Sequence, residues 1–251
     1  MQVSVVVVTH DRERFMPAIY DVYARQTCAD TELLVLDDSE QPSRFFSALH
    51  DPRVRYQHLG ERLSIGAKRN RLIEQARGEW ICHFDDDDYY ADHYVAHMLA
   101  QTEGVDFVKL SAWFNLSLAP RLLTYWDTHV LEPAFYRQSG AGLQPVGLGG
   151  LDAGRFQRSS RLGFGFSYFH RRAVALQYPF KDVSFGGDYP VLDAFERDGG
   201  RLRLLRDEQG LVLHQLHASN VSHVFPQYRL PAFMLEALFP GHARYERLLT
   251  H

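Results

Sequence analysis

The sequence contains few cysteines, little net charge and no long apolar segment. Only Cys28 and Cys82 occur among its 251 residues, so their spacing predicts neither a metal-binding cluster nor a disulfide framework. The net charge of −4 argues against a general nucleic-acid-binding protein. No apolar run approaches the ~18 residues that a transmembrane helix needs, and the first residues show neither a basic segment nor a signal-peptide cleavage site. Together these features favour a cytoplasmic protein with reduced thiols.

The composition and the order of apolar segments indicate an α/β fold. Hydrophobic residues make up 45% of the chain, and a length of 251 residues suits one large domain, with or without a small appendage. Short apolar segments at residues 3–8, 32–36 and 80–84 alternate with helical patterns at 16–25 and 64–76. This alternation predicts βαβ units around a mostly parallel sheet flanked by helices.

Patterns in the second half are less regular, and two of them leave alternatives open. The glycine-rich stretch at residues 139–165 is typical of a mobile loop over a binding site or of a disordered connection. The apolar residues 231–249 favour a helix packed on the sheet, with peripheral contact to a membrane surface as the alternative. The other predicted elements are a helix at 43–49, strands at 54–57, 106–114 and 164–170, helices at 90–101, 171–177 and 188–197, and strands at 202–205 and 211–214.

Four consecutive carboxylates, Asp85 to Asp88, follow the predicted strand 80–84. Adjacent carboxylates repel one another at neutral pH unless a cation offsets their charge. Ligands of open α/β sheets collect beyond the carboxyl ends of the strands, and Mg²⁺ or Mn²⁺ often bridges carboxylates to phosphates there. The pattern favours a metal site that holds a diphosphate. The alternative is an acidic surface turn or a helix N-terminus.

Polar side chains also follow the other predicted strands of the first half. Residues 9–12 follow the first strand and Asp37, Asp38 and Ser39 follow the second, so right-handed crossovers place all of them at one edge of the sheet. The predicted helix 64–76 carries cations that would offset a diphosphate, unless they form only an exposed basic face. We therefore expect a nucleotide pocket at this edge.

Six stretches, taken in order, resemble the motifs of the inverting glycosyltransferases of family 2, which have the GT-A fold. The most specific is the run from Gly78-Glu79-Trp80-Ile81 to Asp88; the stretches are residues 3–12, 33–39, 66–70, 78–88, 186–188 and 217–222. The resemblance implies a hexosyltransferase-type enzyme that moves a sugar from a nucleotide-diphosphate donor, with UDP favoured, to an acceptor hydroxyl. It also implies Mn²⁺ or Mg²⁺ as cofactor.

The resemblance assigns the acid run to the DXD motif of the family. Asp87 is expected to bind the metal directly, Asp85 to face the ribose or a metal-bound water, and Asp86 to share either role. His217 begins a segment that resembles the His-x-x-Asn-x-Ser stretch of the family, and we predict that it is a further metal ligand. A surface position is the alternative for His217, and the nearby His214 is an equal candidate for the role.

The resemblance also places the donor and the catalytic base. Asp188 matches the catalytic acidic residue at the start of a helix, although Gly187 stands where the family more often has Glu; an N-cap is the alternative for Asp188. Asp38 is expected to accept a hydrogen bond from the base ring. The predicted donor-binding residues, which share positions at strand ends or on the basic helix, are Thr9, Asp11, Arg12, Asp38, Lys68, Arg69, Asn70, Asp85 and Asp86.

The same resemblance suggests how the chain is divided. Residues 1–225 are predicted to form the GT-A domain, with a donor half at 1–111 and an acceptor half at 112–225, followed by a C-terminal helical extension at 226–251. The acceptor is left open between a glycan, a lipid carrier, a protein and a modified nucleic acid. Two alternative functions remain, a nucleotidyltransferase and a non-catalytic nucleotide-binding module. The first lacks support because no Gly-rich signature with a Lys follows the first strand.

Overall fold

The computed structural model describes residues 1–132, 134–147, 152–218, 220 and 223–249. Its first four strands are β1 (Val3–Thr9), β2 (Thr31–Asp37), β3 (Val54–His58) and β4 (Trp80–Asp85). They pair in parallel in the order β3-β2-β1-β4, with Val7 of β1 opposite Val35 on one side and Phe84 on the other. Parallel strands covered on both faces are apolar throughout, which explains the continuous apolar runs of β1 and β4.

Three helices connect these strands: α1 (Met16–Ala24), α2 (Arg44–Ala48) and α3 (Ile65–Gln75). The hydroxyl of Ser64 caps α3 by accepting a hydrogen bond from the backbone N–H of Ala67 at 3.0 Å. Ser43 caps α2 in the same way through the N–H of Phe46 at 3.2 Å. Side-chain caps satisfy backbone donors that have no partner within the first helical turn. The predicted βαβ organisation of the first half is therefore confirmed.

The second half extends the same sheet with strands of more varied length: β5 (Tyr89–Tyr90), β6 (Phe107–Ser117), β7 (Leu122–Asp127), β10 (Phe169–Arg171), β11 (Leu202–Arg206), β12 (Val212–Leu216) and β13 (Tyr228–Arg229). Strands β8 (Ala134–Ser139) and β9 (Gly142–Gly147) pair antiparallel in a separate two-stranded sheet. Strand β10 lies antiparallel between β4 and β6. Strands β11 and β12 pair in parallel with successive parts of β6. Strand β12 therefore ends beside the acidic segment that follows β4, because it also pairs with β5.

Six further helices flank this half: α4 (Tyr94–Ala100), α5 (Ala153–Leu162), α6 (Arg172–Gln177), α7 (Asp188–Arg197), α8 (Phe233–Leu238) and α9 (His242–Leu248). Single 3₁₀ turns cover Glu13–Phe15 and Gly165–Ser167. The side chains of Leu235, Phe239 and Tyr245 from α8, α9 and their connection are buried in the main core. This confirms that the C-terminal apolar stretch packs on the sheet, while a domain boundary at residue 225 stays a prediction.

Three sequence predictions in the second half are wrong. The glycine-rich stretch at 139–165 contains strand β9 and helix α5; residues 148–151 lie outside the described part of the chain. Helix α5 forms there because Asp152 caps it through the N–H of Arg155 at 3.0 Å. Residues 164–170 start with a 3₁₀ turn and become a strand only at Phe169, and Tyr90 belongs to strand β5 rather than to a helix. Within the described ranges, no helix has the length and apolar character needed to cross a membrane.

Candidate active site

The four aspartates after β4 have four different environments. Asp88 is fully buried and lies against His214 of β12, with 2.8 Å between Asp88 Oδ2 and His214 Nδ1. Its other oxygen accepts a hydrogen bond of 2.8 Å from the backbone N–H of Gln215. Burial raises the pKa of Asp88 to about 7, although the charge of His214 opposes this shift. Asp88 therefore joins β12 to the end of β4.

Asp87 is buried but remains strongly acidic. Its Oδ2 accepts a hydrogen bond from a guanidinium nitrogen of Arg12 and lies 2.9 Å from Nε2 of His217. Asn220 also approaches this oxygen, with its amide nitrogen at 3.4 Å. Burial alone would raise the pKa of Asp87, but the contacts with His217 and Arg12 lower it to about 2. Asp87 is therefore ionised at neutral pH, as a metal-binding carboxylate must be.

Asp86 lies between β1 and Asp87. Its Oδ2 accepts a hydrogen bond of 2.6 Å from the hydroxyl of Thr9, the last residue of β1. Its Oδ1 is 3.7 Å from a guanidinium nitrogen of Arg12. Burial and the neighbouring charge of Asp87 raise the pKa of Asp86 to about 7. The structure thus brings together the polar residues that follow β1 and β4.

Arg69 of α3 connects Asp85 with Asp188. One guanidinium nitrogen lies 3.2 Å from Asp85 Oδ1, and the other donates a hydrogen bond to Asp188 Oδ1. The second oxygen of Asp188 accepts a hydrogen bond of 2.8 Å from the backbone N–H of Gly165. A Cβ atom at residue 165 would lie 2.8 Å from Asp188 Cγ, so a glycine is needed for this close approach. Asp188 is the first residue of α7, and its side chain keeps 27% of its surface exposed.

Asp38 forms the other end of the site, beyond β2. Lys68 Nζ lies 2.6 Å from Asp38 Oδ1 and also donates to the backbone carbonyl of Thr9 at 2.8 Å. The N–H of Leu63 donates to Asp38 Oδ2 at 2.8 Å. Burial raises the pKa of Asp38, but the hydrogen bonds from Lys68 and Leu63 outweigh it, so the pKa is lower than usual. Lys68 therefore orients Asp38 and the end of β1.

Two other residues of the predicted donor site differ in their surroundings. Asp11 is exposed, has a φ of 52°, and its N–H donates a hydrogen bond of 2.7 Å to the hydroxyl of Ser39. This contact joins the segments that follow β1 and β2. Asn70 forms hydrogen bonds with the backbone of Phe180 at 2.8 and 2.9 Å. Asn70 therefore faces the segment before α7, on a different side of α3 from Lys68.

Several of these partners have no local sequence signal. The positions of Gly165 and Phe180 beside the site depend on long-range packing, and no local motif marks them. The pairing of His214 with Asp88 is a further contact that the motifs do not predict. A signal exists in that case, because His214 lies in the strand that precedes His217, so both histidines can lie near the acidic run. Ser222, part of the segment matched to the family, lies outside the described residues.

The donor atoms for a divalent cation are present, but they are not arranged around one ion. In the part of the chain that is described, no three His, Cys, Asp or Glu side chains form a metal-binding group. Asp87 and His217 are in contact and Asp85 is partly exposed, so carboxylate oxygens and an imidazole nitrogen are available, a set that suits Mn²⁺. Arg12 holds the Oδ2 atom of Asp87, the same oxygen that faces His217.

Comparison with known proteins finds glycosyltransferases among the relatives of this chain. Residues 4–111 match the model of the family described as "Glycosyl transferase family 2". The chain is 30% identical over 105 residues to the "Putative colanic acid biosynthesis glycosyl transferase WcaA" of Escherichia coli (strain K12), a match that covers 40% of this chain and 38% of WcaA. It is 26% identical over 113 residues to the "Uncharacterized glycosyltransferase YwdF" of Bacillus subtilis (strain 168), which covers 45% of this chain and 42% of YwdF. These matches span about two fifths of each relative.

Solved structures of glycosyltransferases share the fold. Residues 1–349 of S. aureus TarS in complex with UDP superpose with a TM-score of 0.59 and 17% identity, covering 86% of this chain and 61% of that one. The mannosyltransferase PcManGT from Pyrobaculum calidifontis, in complex with GDP-Man and Mn²⁺, gives a TM-score of 0.58 and 15% identity, covering 88% of this chain and 58% of that one. The predicted GT-A fold is confirmed, and residues 4–111 match glycosyltransferase family 2.

Proposed function

We propose that the protein is a metal-dependent inverting glycosyltransferase that moves a sugar from a UDP-sugar to an acceptor hydroxyl by single displacement. The observation that carries this proposal is the position of Arg69 between Asp85 and Asp188. The guanidinium group of Arg69 contacts both Asp85, which belongs to the acidic run, and Asp188, which matches the catalytic base of the family. A donor diphosphate at the acidic run would therefore lie beside the base.

The proposed nucleoside site lies at the end of β2. Asp38 is held by Lys68 and Leu63, and its lowered pKa keeps it an acceptor at neutral pH. An ionised carboxylate accepts hydrogen bonds and donates none, which suits the ring N–H of uracil. The UDP and UDP-GlcNAc complexes of TarS support uridine, whereas PcManGT was solved with GDP-Man. Thr9, Asp11 and Arg12 would line the same pocket.

The proposed metal site consists of Asp87, Asp85 and His217. A divalent cation bound there would supply Lewis-acid stabilisation of the negative charge that develops on the departing diphosphate. Arg69, which is almost buried, adds a fixed positive charge on the same side. A charged group that is already oriented stabilises developing charge without reorganising during the reaction. The Mn²⁺ complex of PcManGT supports a divalent metal.

Asp188 is proposed as the general base. Its carboxylate lies at the N-terminus of α7, where the helix dipole favours the anion, and Arg69 adds a cationic partner. A carboxylate within ~3 Å of the acceptor hydroxyl can take its proton as the oxygen attacks the anomeric carbon. Attack from the face opposite the diphosphate inverts the anomeric configuration. Phe185, three residues before Asp188, has 71% of its surface exposed and offers an aromatic contact to an acceptor.

A nucleotide titration followed by a turnover assay tests this function. A ligand at 100 times its Kd adds about 2.7 kcal/mol to the free energy of unfolding, so bound UDP should raise the melting temperature. We expect a larger rise with Mn²⁺ than with EDTA, because the proposed metal holds the diphosphate. We expect the protein with Mn²⁺ to release free UDP slowly from UDP-GlcNAc as water replaces the acceptor. Binding without any release of UDP would indicate a non-catalytic module, and release of pyrophosphate from UTP would indicate a nucleotidyltransferase.

A further inference from the structure

The segment that leads to Asp188, residues 180–187, lies along one side of α3. Asn70 donates a hydrogen bond of 2.8 Å from its amide nitrogen to the carbonyl of Phe180, and the N–H of Phe180 donates one of 2.9 Å to the amide oxygen of Asn70. The N–H of Gly66 donates to the carbonyl of Val183 at 3.2 Å. The hydroxyl of Ser64 donates to Asp182. The cap residue Ser64 and two residues of α3, Gly66 and Asn70, thus hold the segment.

The contact between α3 and this segment requires a glycine. A Cβ atom at residue 66 would lie 1.9 Å from the backbone oxygen of Lys181, which is far inside van der Waals contact. A backbone oxygen cannot move aside as the end of a flexible side chain does. Gly66 therefore allows the backbone of residues 181–183 to approach the first turn of α3.

The same helix holds the other end of the segment. Arg69, adjacent to Asn70, donates a hydrogen bond to Asp188, and its guanidinium carbon lies 5.2 Å from the centre of the Phe180 ring. Arg69 and Asn70 therefore contact residues 188 and 180, on either side of an exposed connection that contains Phe185. The position of Asp188 relative to Asp85 depends on how this segment sits on α3.

We propose that Asn70 is a positioning residue, which holds the segment 180–187 so that Asp188 stands at the correct distance from the donor. The inference rests on the proposed function and assigns Asn70 a role other than direct contact with the donor. Both polar atoms of its amide are already bonded to the backbone of Phe180. Displacement of a catalytic group by about 1 Å can cost ~10²-fold in rate. A loss of Asn70 therefore acts on turnover rather than on donor affinity.

The test compares Asn70→Ala with Gln75→Ala, an exposed residue at the end of the same helix whose side chain contacts Gln57. We expect Asn70→Ala to retain the parent Kd for UDP with Mn²⁺ within about twofold while kcat for UDP-GlcNAc hydrolysis falls ~10- to 10²-fold. Hydrogen exchange at the amides of residues 181–187 should accelerate in Asn70→Ala and stay unchanged in Gln75→Ala. A purely structural role would change melting temperature and UDP affinity together.

A second variant keeps the test valid if Asn70→Ala fails to fold. Asn70→Asp retains the acceptor for the N–H of Phe180 but loses the donor, so we expect an intermediate loss of kcat and intermediate exchange. Weaker UDP binding with unchanged exchange at 181–187 would overturn the proposal and make Asn70 a donor ligand, and unchanged kcat and exchange would overturn it as well. If the parent protein neither binds UDP nor hydrolyses UDP-GlcNAc, the proposed function fails, whereas the exchange comparison still tests the contact between Asn70 and the segment.

Discussion

His217 Nε2 lies 2.9 Å from Asp87 Oδ2, although 130 residues separate them in the chain. Strand β12, which precedes His217, pairs with β6 and with the short β5 that follows the acidic run, and this pairing returns the chain to the ends of β1 and β4. The ring of His217 also stacks on Phe15, with 5.1 Å between the ring centres. His217 therefore has a fixed position next to the carboxylate that we propose as the main metal ligand.

The first prediction concerns Asp87. Asp87→Ala should abolish Mn²⁺-dependent UDP binding while the chain still folds, because the change removes the proposed main metal ligand and no core packing. The lost contacts with Arg12 and His217 should lower the melting temperature. Calorimetric titration with UDP and Mn²⁺, together with a circular-dichroism melting curve, measures both effects. Parent-like UDP affinity of Asp87→Ala in the presence of Mn²⁺ would disprove the metal site.

The neighbouring residue, Asp88, has a structural role. Asp88→Ala leaves the buried His214 without its carboxylate, and loss of one partner of a buried ion pair costs roughly 3–5 kcal/mol. We therefore expect a much lower urea midpoint for Asp88→Ala than for the parent. A parent-like urea midpoint for Asp88→Ala would contradict the structural role assigned to its contact with His214.

The prediction for His217 concerns the choice of metal. Mn²⁺ accepts imidazole ligands more readily than Mg²⁺, which prefers oxygen. His217→Ala should therefore weaken Mn²⁺ binding in the presence of UDP more than Mg²⁺ binding. His214→Ala should lower stability and leave the ratio of the two metal affinities unchanged. Equal losses for both metals in His217→Ala would indicate a phosphate contact, and no loss would exclude His217 from the site.

A pair of buried histidines predicts a pH dependence of stability. Nε2 of His83 lies 2.9 Å from Nε2 of His170, and burial lowers the pKa of both, to about 4 for His170. In the unfolded chain a histidine takes up a proton near pH 6.5. The free energy of unfolding should therefore be unaffected by this pair above pH 6.5 and should fall between pH 6.5 and 4, by up to ~1.4 kcal/mol per pH unit for each histidine.

The check is a comparison of urea unfolding at pH 7 and pH 5. His170→Gln removes one of the two titrating groups, so the decrease between these pH values should be smaller than in the parent. His223→Gln serves as the control and should match the parent. His223 is exposed, and it contacts no second histidine in the described region. An identical decrease in the parent and in His170→Gln would show that the pair does not titrate on unfolding.

Local sequence patterns were sufficient for the first half of the fold and for the start of α7. Apolar β-branched runs and the Ser64 cap depend on neighbouring residues only, so β1 to β4 and α3 were predicted within a few positions. The pairing of the acidic residues was not predictable in this way. Asn70 and Phe180 are 110 residues apart, and Asp88 and His214 are 126 apart. Such contacts depend on the order of strands in the sheet, which the motifs alone do not specify.

The central claim is that Asp188 acts as the base of a single displacement. Asp188→Asn keeps the size of the side chain but cannot take a proton. NMR of the product formed from an α-linked UDP-sugar, together with rates for Asp188→Asn and the parent, gives the most direct test. We predict a β-configured product from the parent, and for Asp188→Asn an unchanged Kd for UDP with transfer slower by ~10²-fold or more. A product that retains the α configuration, or full transfer by Asp188→Asn, would contradict the mechanism.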